Sequence, residues 1–222
     1  MFYSFSDGGC HNNGKKNAIA SYCAMLIDGC TRQVLKGLVQ PYKYNINFDQ
    51  SIGDSNTLHP FISIDESIII PPSNNRGELL GIIYCLAQLY IIVESINDTI
   101  VESINDIVDS INDTKVDSIN DTVVESINDT VVELYSDSLI CINTFNKWLP
   151  NRRLANTAHE MKNYDLICIA EQLLLKIAPK YKSIKLIHVK SHQKRPSGEN
   201  KKKLFIWMGN EFVDKECSSL LR

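Results

Sequence analysis

The sequence predicts a mixed α/β fold, in which a sheet of parallel and antiparallel strands carries helices on its faces. Short apolar runs near the N-terminus are separated by tight turns, which favours neighbouring antiparallel strands. Apolar residues then recur at helical spacing after residue 78 and again after residue 164. The resulting order of elements, β-β-β-α-β-α-α-β-α, is typical of a mixed sheet with helices packed against it.

Three strands are expected before the first helix. We place them at residues 2–6, 18–27 and 34–42, with an Asp-Gly turn after the second. Residues 43–73 are polar and irregular, and we expect an unstructured connection there, although it is long for a compact domain.

Helices dominate the rest of the chain. Ser73 or Asn74 is a good N-cap for the first helix, and a fourth strand ending near Ser136 precedes a helix that Pro150 stops. The remaining expected elements are a helix at 164–177, a strand at 183–189, a basic loop at 191–207 and a closing helix at 210–221.

An acidic tandem repeat lies between the first helix and the fourth strand. Ser-Ile-Asn-Asp recurs there five times, and the last copy aligns with residues 131–138, which suggests repeated duplication of that segment. Its apolar residues fall three or four apart, but Asn, Asp, Thr and Val are poor helix formers, so helix, strand and disorder all remain open. We treat residues 1–222 as one domain with this insert at 94–132, and expect deletion of 94–125 to preserve function.

Charge is divided unevenly between the insert and the rest of the chain. Residues 94–133 contain eleven acidic residues and one lysine, a net charge of −10 in a chain whose total is −3. The remainder is therefore strongly basic, which suits a polyanionic partner such as nucleic acid. Lysines that only solvate the surface are the alternative.

Composition also excludes several classes of protein. The seven cysteines contain no CxxC pair, which favours reduced thiols over a disulfide framework or a zinc site. No uncharged apolar run of about 18 residues occurs, so we expect no membrane span. Because the N-terminus also lacks a signal-peptide pattern, we expect an intracellular protein, cytoplasmic or nuclear, and the single-domain size favours a monomer.

Four acidic residues stand in distinctive local settings far apart in the chain. Asp7 lies in Phe-Ser-Asp-Gly-Gly-Cys, Glu78 in Ser-Asn-Asn-Arg-Gly-Glu, Asp137 in Leu-Tyr-Ser-Asp-Ser, and Asp214 in Gly-Asn-Glu-Phe-Val-Asp. If the fold brought them together, the carboxylates would repel one another and hold protons unless a cation lay among them. The residues therefore suggest a site for two divalent metal ions.

These motifs, in this order and together with His-Val-Lys-Ser-His at 188–192, resemble those of ribonuclease H of type 1. The resemblance covers the chain except residues 43–72 and the repeat. It implies a five-stranded sheet with helices on both faces, whose first and fourth strands are parallel neighbours. It also implies an endonuclease that hydrolyses the RNA strand of RNA–DNA hybrids and leaves 3′-hydroxyl and 5′-phosphate ends.

The resemblance assigns a role to each motif. The implied ligands of two Mg²⁺ ions, which Mn²⁺ could replace, are Asp7, Glu78, Asp137 and Asp214. His192 would assist proton transfer or product departure. We prefer Asp137 to the repeat's Asp129 because only Asp137 is followed by a credible helix. The residues expected to contact the hybrid are Gly8, Cys10, Asn13, Asn74, Asn75, Ser138, Trp148 and Asn210.

The sequence departs from the family pattern in two places. Gly9 stands where serine is usual, and residues 149–163 are short where many relatives carry a longer basic segment. The lysines at 201–203 are a candidate replacement for that segment. Two other functions stay open: a hybrid-binding module impaired in catalysis, and another nuclease of the same superfold, such as a resolvase-like or transposase-like core.

Overall fold

A five-stranded mixed sheet forms the centre of the structure, a computed structural model that describes residues 1–29, 31–39, 42–45, 63–110, 128–197 and 200–222. Its strands are β1 (Phe2–His11), β2 (Ile19–Asp28), β3 (Thr31–Leu38), β6 (Val131–Ser136) and β7 (Ser183–His188). They lie in the order β3-β2-β1-β6-β7. The first three strands are antiparallel to one another, whereas β6 runs parallel to both β1 and β7. The predicted mixed sheet is confirmed.

Helices cover both faces of this sheet. The helices are α1 (Asn74–Ser110), α2 (Leu139–Asn143), α3 (Leu149–Leu154), α4 (Tyr164–Ile177) and α5 (Lys201–Ser219), with a π-helical turn at Thr144–Trp148 between α2 and α3. On one face α1 and α4 pack in a large apolar core that includes Leu86 and Leu166. On the other face α5 packs in a smaller core that includes Phe5 and Val213.

Residues 43–73 contain structure where we expected an irregular connection. A separate two-stranded antiparallel sheet pairs β4 (Tyr42–Asn45) with β5 (Ser63–Ile69). Tyrosine and isoleucine in these short segments favour strand over coil, a signal that the polar flanking sequence obscured. The rest of the expected connection, residues 46–62, lies outside the described residues.

Two helix boundaries also differ from prediction. Pro150 does not stop a helix but lies in the first turn of α3, where its missing N–H removes no intrahelical bond. Helix α5 begins at Lys201, nine residues before the predicted start, because lysine is a good helix former and Asn200 caps the helix. The Asn200 Oδ1 atom accepts a hydrogen bond from the Lys203 backbone N–H at 2.9 Å.

The described part of the repeat continues the first helix. Helix α1 runs without interruption through Ser110, so its first two copies have helical backbone. The next copies fall largely within 111–127, outside the described residues, and the one-domain organisation with an insert stays a prediction.

The N-terminal part of α1 is unusually apolar. The segment Asn74–Ser95 has the length and mean hydropathy, 1.5, of a membrane-spanning helix, but 72% of that window is buried inside the fold. Its apolar side chains are used by the core between α1, α4 and the sheet.

Candidate metal and nucleic-acid site

Three of the four predicted carboxylates converge at one end of the sheet. One ligand atom each from Asp7, Glu78 and Asp137 lies within 4.8 Å of the other two. Parallel pairing of β1 with β6 explains why Asp7 lies close to Asp137. Ser6 is aligned with Ser136 across the two strands, and the two aspartates are the residues that follow these serines. Glu78 arrives from the start of α1. We call these three residues the carboxylate cluster.

A close approach of backbone to backbone brings Glu78 to the sheet. A Cβ atom built on Gly8 would lie 2.0 Å from the Glu78 backbone nitrogen and 2.2 Å from the Gly77 carbonyl carbon. The helix start can therefore reach β1 only because residue 8 has no side chain. The glycine expected to contact substrate thus also has a packing role.

Burial and mutual repulsion make the cluster electrostatically unfavourable when all three groups are ionised. Burial, followed by the charges of Asp137 and Asp214, raises the pKa of Asp7 from 3.8 to about 8. Burial, followed by the charge of Asp7, raises the pKa of Glu78 well above its usual value, and burial followed by Asp214 raises that of Asp137. At neutral pH, the cluster therefore retains protons unless a cation replaces them.

The oxygen atoms of the cluster fit a hard divalent cation. Glu78 Oε2 and Asp137 Oδ1 are buried and have no hydrogen-bond partner within the described chain. Buried polar atoms normally have partners, so two such atoms in one acidic cluster indicate a missing ligand. An all-oxygen donor set of carboxylates is the kind that Mg²⁺ prefers.

Asp214 and His192 lie at the edge of the cluster. Asp214, on α5, is outside the tight group of three, yet its charge raises the pKa of both Asp7 and Asp137. His192 is exposed, has a positive φ of 52°, and its charge counteracts part of the rise in the Asp137 pKa. The fold therefore brings all five predicted catalytic residues into one region, with three in close contact.

Metal binding should stabilise the protein most at alkaline pH. The ionised cluster costs folding free energy as pH rises above the ordinary carboxyl pKa, toward the raised value of about 8 for Asp7. A bound cation removes that cost at pH 8, but at pH 5 it must first displace protons. At one fixed Mg²⁺ concentration, about 10-fold above the dissociation constant at pH 8, we expect the rise in melting temperature to shrink steadily from pH 8 to pH 5, because protons weaken metal binding. Differential scanning fluorimetry against EDTA controls measures this, and a rise that is equal or larger at pH 5 would contradict it.

A buried ion pair anchors the helix start that carries Glu78. Arg76 donates to both carboxylate oxygens of Asp165, at 2.9 and 3.2 Å, and the two side chains are 1% and 4% exposed. Asp165 lies in the first turn of α4, so the pair ties that helix to α1 two residues before Glu78. This arrangement fixes the position of the glutamate as well as the packing of the helices.

Removing one partner of this pair should be costly. Asp165→Asn leaves the Arg76 guanidinium buried without a counter-charge, so we expect a loss of about 3–5 kcal/mol in the free energy of unfolding. The matched control is Glu171→Gln, which breaks the Arg153–Glu171 pair, whose side chains are 43% and 23% exposed, and should cost less than about 1 kcal/mol. Urea denaturation measures both values, and equal losses would contradict the assignment.

The residues expected to contact RNA lie around the start of α1. The Asn74 backbone N–H donates to Asn13 Oδ1 at 3.3 Å, and Asn74 Nδ2 lies 3.5 Å from Glu78 Oε1. Gly8 and the half-buried Cys10 lie on the neighbouring strand β1. Asn74 thus contacts the carboxylate cluster itself, and the four residues occupy one side of it.

The other predicted contact residues occupy different surfaces. Asn75 and the 39% exposed Trp148 line one groove of about 410 Å³. Ser138 caps α2, accepting from the Cys141 backbone N–H at 3.4 Å, so its hydroxyl has a structural partner. Asn210 is buried on α5, close to His192.

A basic cavity near the start of α1 was missed by sequence reasoning. It measures about 700 Å³, and the residues that give it donor character are Lys15, Lys16, Ser73, Lys162 and Asn163. They come from three loops far apart in the chain, so no local sequence motif predicts that they lie together. The adjacent lysines in the loop that follows β1 were the available signal.

The three lysines at 201–203 do not form an exposed loop segment. They occupy the first turn of α5, and Lys202 forms an ion pair with Glu133 at 3.0 Å. Glu133 also accepts a hydrogen bond from the Tyr135 hydroxyl at 2.6 Å. Because Glu133 lies on β6, its ion pair with Lys202 holds the start of α5 against that strand. Replacement of the missing basic segment by these three lysines stays a prediction, and Lys202 already has Glu133 as a partner.

Comparison with solved structures gives matches over nearly the whole chain. The crystal structure of the prototype foamy virus protease–reverse transcriptase matches with a TM-score of 0.50 and 14% identity, over 99% of this chain and 20% of that one. LC9-RNase H1, described as a type 1 RNase H with the type 2 active-site motif, matches with a TM-score of 0.45 and 12% identity, over 98% and 70%. The PFV RNase H domain matches with a TM-score of 0.46 and 13% identity, over 98% and 92%.

The chain therefore shares its fold with the matched part of the foamy virus protease–reverse transcriptase, and the five-stranded mixed sheet that the motifs predicted is confirmed. It spans about a fifth of the length of the foamy virus protease–reverse transcriptase. No protein-family model and no curated protein matches the sequence. At these levels of identity the likeness is one of fold.

Proposed function

We propose that this protein is a divalent-metal-dependent endonuclease that hydrolyses the RNA strand of RNA–DNA hybrids. The observation that carries the proposal is the convergence of Asp7, Glu78 and Asp137 within 4.8 Å on a ribonuclease H-like fold. The raised pKa values and unpartnered oxygens of this cluster are the properties expected of a cation site.

Four carboxylates would hold the metal. Asp7, Glu78 and Asp137 would supply the close ligands and Asp214 a further one from α5. When bound, a pair of Mg²⁺ ions supplies an activated water and stabilises the leaving oxygen of the phosphodiester. The protein fixes the positions of these side chains through β1, β6 and the anchored start of α1.

The position of His192 suits a role in proton transfer. Its ring is exposed beside Asp137, and imidazole is a common general acid and base in enzymes. In this position it can give a proton to the departing oxygen or exchange one with solvent. We propose that it acts on the leaving side of the reaction and holds no metal.

The surfaces around the cluster support a duplex substrate. Asn13 and Asn74 lie on one side, where amide groups can both donate to and accept from a 2′-hydroxyl. The groove with Asn75 and Trp148 offers an aromatic face for a sugar of the second strand. The lysine-lined cavity at Ser73 suits a phosphate of that strand.

A cleavage assay tests the proposal. Labelled RNA–DNA hybrid, double-stranded RNA and double-stranded DNA of one sequence are incubated with wild-type protein and Asp137→Asn, in Mg²⁺, Mn²⁺ or EDTA. We expect only the hybrid to be cut, only by the wild type with metal, giving 5′-phosphate ends. Equal cleavage of DNA duplex would favour another nuclease of the superfold. Hybrid binding by the wild type without cleavage in either metal would favour a catalytically impaired binding module.

A further inference from the structure

A cavity separate from the two described above opens beside the carboxylate cluster. It has a volume of about 330 Å³ and lies between the segment after β7 and the N-terminal half of α5. The lining residues that matter for its chemistry are Lys190, His192, Lys194, Lys203, Trp207 and Asn210. We call it the α5 cavity.

The walls of the α5 cavity are fixed to each other. The Trp207 indole N–H donates to the Gln193 carbonyl oxygen at 2.8 Å, which joins the helix to the loop that carries His192. The Asn200 side chain caps the first turn, where Lys203 lies. The shape of the cavity is therefore fixed by contacts between the loop after β7 and the first turns of α5.

Its cationic groups form no ion pair within the described chain. None of Lys190, Lys194 and Lys203 forms an ion pair with a described residue, whereas the acidic Glu211 at the same cavity lies 3.8 Å from Lys215. Three ammonium groups against the single carboxylate of Glu211 give the cavity a net positive charge, which favours an anion.

Asn210 provides an independent indication of a ligand. Its side chain is only 8% exposed and makes no hydrogen bond to any residue that the structure describes. A largely buried amide of this kind normally bonds to protein, water or a ligand. An amide N–H₂ in the lining of a cationic cavity is suited to donate to an anionic oxygen.

The location links this cavity to the proposed reaction. Asn210 lies four residues before Asp214 on α5, so both side chains project from the same face of the helix, one turn apart. His192 borders the cavity and also affects the pKa of Asp137. An anion held in the cavity would therefore lie next to the carboxylate cluster.

We propose that the α5 cavity binds a backbone phosphate of the cleaved strand, adjacent to the scissile phosphodiester on the His192 side. The lysines supply charge and Asn210 supplies a directional hydrogen bond. This inference rests on the proposed function, because it assumes that a nucleic-acid strand crosses the carboxylate cluster.

Salt-dependent binding gives the first test. An 18-base-pair RNA–DNA hybrid is titrated against Asp137→Asn protein, which should bind without cutting, with and without the added changes Lys190→Ala and Lys194→Ala. Loss of one phosphate contact should reduce the slope of log affinity against log salt by roughly 0.7–0.9. The matched control, Lys180→Ala with Lys182→Ala, removes the same charge from residues outside this cavity and should leave the slope unchanged.

A scan with neutral methylphosphonate linkages locates the phosphate. Each linkage near the cleavage position is neutralised in turn, and binding is compared between the Asp137→Asn protein and its double-lysine derivative. We expect one position, next to the scissile linkage, to weaken binding of the first protein and not of the second. Asn210→Ala should reduce the same positional effect.

The outcomes separate the two proposals. If the hybrid binds but every neutral linkage lowers the affinity of both proteins equally, the α5 cavity assignment is overturned while the proposed function stands. If hybrid binds to neither protein, although circular dichroism shows both folded, the proposed function and the cavity assignment fail together.

Discussion

Replacing Asp7 by asparagine is expected to abolish metal-dependent cleavage and, at pH 8 in EDTA, to raise the melting temperature. Burial and neighbouring carboxylates raise the pKa of Asp7 from 3.8 to about 8, so the folded state disfavours its charge. That cost is absent below pH 3.8 and accumulates as pH rises toward 8. At about 1.4 kcal/mol per pKa unit, the neutral amide should gain up to a few kcal/mol at pH 8 and almost nothing at pH 4. Calorimetry at both pH values measures the difference.

The loss of activity should be large because a central metal ligand disappears. We expect cleavage to fall by on the order of 10³-fold or more, at least as much as removal of one electrostatic stabiliser of a transition state. Asp28→Asn, an exposed residue at the end of β2, is the matched control and should change neither property by much. A destabilised Asp7→Asn protein at pH 8, or one that still cleaves at more than a tenth of the wild-type rate, would contradict the electrostatic account.

Adding one methyl group at Gly8 is expected to damage both fold and site. In Gly8→Ala the new carbon would lie 2.0 Å from the Glu78 backbone nitrogen, and backbone atoms cannot move aside as a flexible side chain can. The start of α1 must then shift away from β1 and displace Glu78. We expect a loss of about 3 kcal/mol or more in the free energy of unfolding, together with loss of cleavage. Chemical denaturation and the hybrid assay measure the two effects.

The neighbouring glycine provides the control. A Cβ atom on Gly9 would meet only side-chain atoms, the nearest being the end of Leu221 at 3.0 Å. Gly9→Ala should therefore change stability by less than about 1 kcal/mol and leave cleavage near the wild-type level. If the two substitutions had equal effects, the claim that a glycine at position 8 is needed for the close approach of α1 to β1 would be wrong.

The sequence was sufficient to predict the centre of the fold and the residues of the cluster. Asp7 and Asp137 each follow a short apolar strand, and Glu78 follows a recognisable cap at Ser73, so each motif could be placed on its element. The structure then brings the three together through parallel pairing of β1 with β6. Their role as metal ligands stays a prediction.

Other features could not be predicted because they depend on contacts between distant segments. The Arg76–Asp165 pair joins residues 89 positions apart, and neither residue signals its partner in the local sequence. The lysine-lined cavity near Ser73 combines three loops. The early start of α5 was missed because a run of lysines suggested a solvated loop, whereas the Asn200 cap and lysine's helix propensity favour helix.

The most direct measurement of the central claim is crystallography with Mn²⁺ and bound hybrid, using the anomalous signal to locate the ions. Our account predicts two anomalous peaks, roughly 3.5–4 Å apart, coordinated by oxygens of Asp7, Glu78, Asp137 and Asp214. Well-ordered hybrid and carboxylates with no anomalous peak within coordination distance of Asp7 would contradict it.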